Sequence, residues 1–120
     1  REKQLLLQPM SRAEFLRPWL VDHGYVVFAE TLVQDKGHIY PILQTSGGPM
    51  RALQPGEQYY GFSDPDAPLF PVYLMQWVQR LRRAAEGLEQ AEEPATERLQ
   101  ALKKSLTALK AKEESLQCRR

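Results

Sequence analysis

The chain has 120 residues, 42% of them hydrophobic and 26% charged, with a net charge of +1. That length fits one domain, and the apolar share supports a packed core and excludes a disordered tail. The near-zero net charge excludes a global field for nucleic acid, and the single cysteine, Cys118, excludes a disulfide framework and a multi-cysteine metal site.

Gln4 to Gln8 reads as a short strand. Its unbroken Leu5-Leu6-Leu7 run predicts burial on both faces, as in a parallel sheet. A buried strand at the very start of the chain predicts the second half of a larger protein. Ser11-Arg12-Ala13-Glu14 then has the form of a capping box, opening a helix over 11–23 that Gly24 ends. Phe15, Leu16, Trp19 and Leu20 give it an apolar stripe, and Pro18 should kink it. Residues 25–34 and 39–44 are rich in β-branched and aromatic types. The turn Asp35-Lys36-Gly37-His38 between them predicts an antiparallel hairpin, with Pro41 at an edge or bulge. Glycines and prolines crowd residues 46–68, which predicts a long loop.

The last third changes period. Leu74, Leu81 and Leu88 recur every seven residues, with Trp77, Ala84 and Ala91 between them. After a break at Glu92-Glu93-Pro94-Ala95, Thr96 is a candidate cap. Leu99, Leu102, Leu106, Leu109 and Leu116 then carry a second seam, interrupted by Glu113. Two heptad helices joined by a short turn predict an antiparallel coiled-coil hairpin. No apolar run approaches the ~18–20 residues of a membrane helix, so no membrane partner is expected.

Charge is uneven along the chain. Residues 96–120 hold seven Lys or Arg against three acidic residues. Lys103 and Lys110 lie on one flank of the predicted second helix, with Lys104 beside them and Lys112 opposite, and the first helix adds Arg80, Arg82 and Arg83. Such a surface can neutralise phosphates and give salt-dependent RNA binding; it can equally be a solvated helix face. Gln8 and Pro9 sit at the carboxyl end of the first strand, where open α/β sheets bind ligands. The Gln8 amide could read a base edge, or the pair could simply shape the connection. His23 and His38 have no partner at metal-ligand spacing, so no metal is expected. Asp64 and Asp66 fit turn chemistry beside Pro65 and Pro68, with acid/base work as the alternative. No nucleotide-binding glycine motif or nucleophile elbow appears, so catalysis has no signature here.

Leu5-Leu6-Leu7-Gln8-Pro9, Leu16-Arg17-Pro18-Trp19-Leu20 with His23-Gly24-Tyr25, Glu30-Thr31-Leu32-Val33 and Gly37-His38-Ile39-Tyr40-Pro41-Ile42-Leu43 together resemble the C-terminal half of bacterial tRNA (adenine-22-N1) methyltransferases. The resemblance implies an α/β fold. Residues 1–67 would be the C-terminal portion of a Rossmann-like methyltransferase domain (strand, helix, antiparallel strand pair), and 68–120 an α-helical coiled-coil hairpin. It implies a cytoplasmic enzyme that methylates N1 of an adenine in tRNA. Its S-adenosylmethionine would be bound by the missing N-terminal half, so this segment alone would be inactive. Gln8 and Pro9 would border the substrate, and Arg80, Arg82, Arg83, Lys103, Lys104, Lys110 and Lys112 would contact tRNA. Met10 stands where the family tends to have Asn, and Pro18 and Pro41 also depart from its pattern. The alternative is a non-catalytic RNA- or protein-binding module with a coiled-coil hairpin.

Overall fold

The computed structural model describes residues 4–9, 12–90 and 96–118. Ser11 and Met10, and the predicted interhelical turn at 92–95, lie outside the described residues. The elements are β1 (Gln4–Leu7), α1 (Ala13–Asp22), β2 (Tyr25–Asp35), β3 (His38–Gly47), α2 (Glu57–Tyr60), α3 (Phe70–Glu89) and α4 (Thr96–Cys118). The result is an α/β fold around a three-stranded antiparallel sheet of order β1-β3-β2.

The hairpin forms as its turn chemistry dictates. Lys36 and Gly37 both have positive φ, 52° and 83°, and Asp35 pairs with His38. Two consecutive positive-φ residues match the right-handed twist of the strands they join. β1 and β2 each pair antiparallel to β3, so they run parallel to one another. Pro41 lies on the central strand opposite Leu32, beyond Leu43, where β1 ends. The strand has one neighbour there among the described residues, so the missing N–H is tolerated. Between Val27 and Ala29 the register slips, leaving Phe28 as an extra residue on β2. Val27, Glu30 and Leu32 therefore share the face of Thr45, Leu43 and Pro41.

Several sequence expectations need correction. The leucine run is not buried: Leu6 is 67% and Leu5 37% exposed. β1 is an edge strand, bonded only to β3 among the described residues. Helix α1 begins at Ala13, one residue later than a capping box on Ser11 implies, and its N-cap position is Arg12 in a left-handed conformation without a side-chain cap. The helix runs continuously through Pro18. Its buried stripe is Ala13, Arg17 and Leu20, whereas Phe15 and Trp19 are exposed. Trp19 instead stacks on His23, with ring centroids 4.1 Å apart. The predicted loop holds one helical turn, α2.

The seam of α3 is also broader than heptads allow. Phe70, Tyr73, Leu74, Trp77, Val78, Leu81 and Ala85 are buried, and Ala84 is exposed. A helix packed on two sides buries a wide stripe rather than a narrow a/d line. α3 meets α4 on one side and the sheet and α2 on the other: Leu32, Tyr60, Leu109 and Leu116 join its residues in the main core. On α4, Leu109 and Leu116 are buried, while Leu99, Leu102 and Leu106 are only partly so. A smaller core of Leu20, Val27 and Leu43 seats α1 on the sheet.

Candidate functional site

A cleft of about 460 Å³ opens where the carboxyl ends of β1 and β2 approach the flank of α3. Pro9, Arg12 and Glu14 form one wall, the hairpin residues Gly37 to Pro41 a second, and Tyr73, Gln76, Trp77, Gln79, Arg80 and Arg83 the third. Each wall follows from local structure. Pro9 follows β1, two residues beyond its last residue, Leu7. The tight turn at Lys36-Gly37 brings His38 to the rim. Residues 73, 76, 77, 80 and 83 recur at three- and four-residue steps, so they share one helix face.

Three arginines converge here. The Arg80 guanidinium lies over the Trp77 ring at 4.1 Å, and that of Arg12 over Phe15 at 4.8 Å. Among the described residues, Arg12, Arg80 and Arg83 make no ion pair. Glu14 is the only acidic residue lining the cleft among the described residues.

Beneath the cleft, a buried arginine behaves differently. Arg17 donates from Nε to Glu30 Oε1 at 3.1 Å and from Nη2 to Glu30 Oε2 at 2.7 Å. Its Nη1 donates to the carbonyls of Gln58 and Tyr59, and its Nη2 also contacts the Tyr73 hydroxyl at 3.2 Å. Glu30 accepts further bonds from the Phe62 N–H and the Ser63 hydroxyl. Burial would lower the Arg17 pKa, but the Glu30 carboxylate and the Tyr73 hydroxyl together outweigh it and hold the guanidinium above its ordinary value. Gly61 completes the knot. Its φ is +74°, and a Cβ there would collide with the Glu30 carboxylate and stand 2.6 Å from Arg17 Nη2.

A second ion pair joins Arg51 to Glu57 in a two-pronged contact, 2.7 and 2.6 Å. Burial pushes the Glu57 carboxyl up, but Arg51 and the Gln54 N–H outweigh it and leave it below the usual carboxylate range.

The structure separates the residues that the sequence singled out. Pro9, Arg80 and Arg83 meet in the cleft; Gln8 is exposed and does not line it. Arg82 is exposed on another side of α3. Lys103 approaches Glu89 at 3.6 Å, Lys104 and Lys110 are exposed, and Lys112 is half-buried over the Tyr60 ring. His38 reaches the rim and His23 does not. Asp64 accepts from the Asp66 N–H, the turn contact that the Asp-Pro spacing suggests. Among the described residues, no group of acidic, His or Cys side chains could hold a metal ion, and no helix is long and apolar enough to cross a membrane.

Sequence reasoning missed Arg12, the Trp77–Arg80 stack and the Arg17–Glu30 pair. Trp-x-x-Arg on a helix was a readable signal for the stack. The arginine between Ala13 and Leu20 on the buried stripe signalled the pair.

S-adenosylmethionine does not fit this cleft. Its sulfonium is cationic, and the cleft presents three arginines to it. The turn from β1 to α1 contains no glycine to let a backbone approach a cofactor.

Residues 1–112 match the family of tRNA (adenine(22)-N(1))-methyltransferases, TrmK. Comparison with curated proteins gives no match. Among solved structures, the chain is similar to a Streptococcus pneumoniae protein described as a candidate tRNA (m1A22) methyltransferase. Identity is 30% and the TM-score 0.68, over 92% of this chain and 49% of that one. The same protein in complex with S-adenosyl-L-methionine gives 31% identity and a TM-score of 0.61, over 92% and 47%. A Streptococcus agalactiae protein of the NADB-Rossmann superfamily gives 25% identity and a TM-score of 0.71, over 92% and 48%. The chain thus spans about half the length of these structures.

Proposed function

The chain belongs to the tRNA (adenine(22)-N(1))-methyltransferase family, and from that premise we propose that it forms part of a cytoplasmic S-adenosylmethionine-dependent enzyme that methylates N1 of an adenine in tRNA. The complete enzyme draws the methyl group from a donor held by residues outside this chain. Residues 1–67 complete the methyltransferase sheet, and 68–120 form a helical hairpin that positions tRNA. Alignment of an unprotonated N1 with the methyl donor is the main requirement of the transfer, so positioning is a direct contribution to rate.

The observation that carries this reading is the family match over 112 residues of the chain. The cleft supports it: basic side chains gather at the carboxyl ends of parallel-running strands, where α/β folds bind substrates. Gln8 and Pro9 border the substrate side. Arg80, Arg82, Arg83, Lys103, Lys104, Lys110 and Lys112 contact the RNA backbone.

The test is methyl transfer by the complete polypeptide to unmodified tRNA, followed by mapping of the modified base. N1-methyladenine in the product supports the reading. Salt-dependent tRNA binding without methylation supports instead the non-catalytic RNA-binding module. Changing Lys103, Lys104 and Lys110 to Glu should weaken tRNA binding and flatten its salt dependence; binding that survives unchanged removes the lysines from the interface.

A further inference from the structure

We propose that Arg12, Arg80 and Arg83 form a clamp for one phosphodiester of the RNA substrate, adjacent to the nucleotide that is modified, and that they orient that nucleotide rather than merely attract RNA. The inference rests on the tRNA methyltransferase reading and deepens it.

Four observations lead to the clamp. Guanidinia from two regions distant in sequence line one cleft, with one carboxylate on its walls among the described residues. None is engaged in an ion pair among the described residues. Two of the three lie on aromatic rings, Arg80 on Trp77 and Arg12 on Phe15. A guanidinium laid on a ring keeps its edge N–H groups free for two parallel bonds to a phosphate, and the ring limits its rotamers in advance. Finally, Arg12 has a φ of 65°, one of two non-glycine residues with positive φ among the described residues. Such backbone costs energy and is concentrated at ligand clamps. Here it sets the direction of the chain as it enters α1 beside Pro9.

Position assigns the phosphate. The cleft is bounded by Pro9 at the end of β1, on the side where substrates meet the sheet. Lys103, Lys104 and Lys110 of α4 are exposed and outside it, and Lys103 faces Glu89. They add long-range attraction, whereas the arginines hold a fixed geometry. A phosphate held in place should therefore affect the rate at saturating RNA, and the lysines mainly the concentration required.

The experiment uses the complete polypeptide and a tRNA-derived hairpin in which single linkages near the target adenine are replaced by uncharged methylphosphonates. One such replacement should slow methylation at saturating RNA by about tenfold or more, the scale of a lost charge-assisted hydrogen bond. In the Arg80→Ala/Arg83→Ala double variant the same replacement should add no further slowing. Arg80→Lys, which keeps the charge but not the planar fork, should also slow the reaction. The clamp is overturned if no single linkage matters, if its effect multiplies with that of the arginine variants, or if Arg80→Lys matches the parent. Should the parent bind the hairpin without methylating it, the methyltransferase reading fails. The same replacements scored by binding then judge the clamp: a linkage that weakens binding to the parent but not to the double variant sustains it, and any other pattern overturns it.

Discussion

Arg17 and Arg80 both sit on helices beside aromatic side chains, yet they behave in opposite ways. Every nitrogen of the Arg17 guanidinium is committed, to Glu30, to two carbonyls and to the Tyr73 hydroxyl. Arg80 touches a ring face and makes no ion pair among the described residues. The difference is solvent. A charge taken out of water is stable only with all its partners present, so the Arg17 region can do nothing but hold α1, β2, the 58–63 segment and α3 together. A charge left at the surface keeps its donors available for a ligand.

The largest test of this contrast is Arg17→Met. It strands the Glu30 carboxylate in a dry site and should cost about 3–5 kcal/mol of stability by chemical denaturation. Combining it with Glu30→Leu should restore only part of the loss. The Gln58 and Tyr59 carbonyls and the Phe62 N–H stay behind without the side chains they now bond. A full recovery would show that the pair is not what the segment depends on.

Next in size is Gly61→Ala, expected to cost about 2–3 kcal/mol through its left-handed backbone and the collision with Glu30. Glu57→Gln should cost about 1 kcal/mol near neutral pH, less than a buried pair because the Arg51 side chain is 52% exposed. The Glu57 carboxyl is held below its ordinary pKa. Its stabilisation is therefore complete above the unfolded value of about 4.3 and disappears as pH falls through the folded value. The Gln variant should lose that part of the acid transition. Smallest of all, Arg80→Ala with Arg83→Ala should leave stability within about 0.5 kcal/mol of the parent. A large loss there would mean that the cleft arginines, too, hold the fold.

Local rules made much of the fold readable. Lys36-Gly37 announced its turn, the β-branched runs announced their strands, and the leucines of 99–116 announced a helix. What the sequence hid was set by tertiary context. Leu5-Leu6-Leu7 reads as buried because three leucines in a row need cover on both faces, yet among the described residues β1 is an edge strand with Leu5 and Leu6 exposed. Phe15 and Trp19 outscore Arg17 in any apolar count, but α1 turns Arg17 inward toward Glu30 on the sheet face that it covers. The seven-residue spacing of Leu74, Leu81 and Leu88 was real, but α3 packs on two sides and buries Ala85 where a seam predicted Ala84. In the site, Pro9, Arg80 and Arg83 were legible as chemistry. Their meeting in one cleft was not, since it depends on how the strands, α1 and α3 pack together.

The extra residue at Phe28 has a consequence for how this chain can change over evolutionary time. β2 carries one more residue than β3 needs between the partners of Thr45 and Gln44. Deleting Phe28 would leave a regular ladder, with Val27, Glu30 and Leu32 still on one inner face. Deleting a residue between Glu30 and Leu32 would instead throw the inner positions out of phase and turn Glu30 or Leu32 outward. Arg17 would then face an empty place where its carboxylate had been. Relatives that differ in length along this strand are expected to differ at Phe28, the one place where the sheet has a residue to spare.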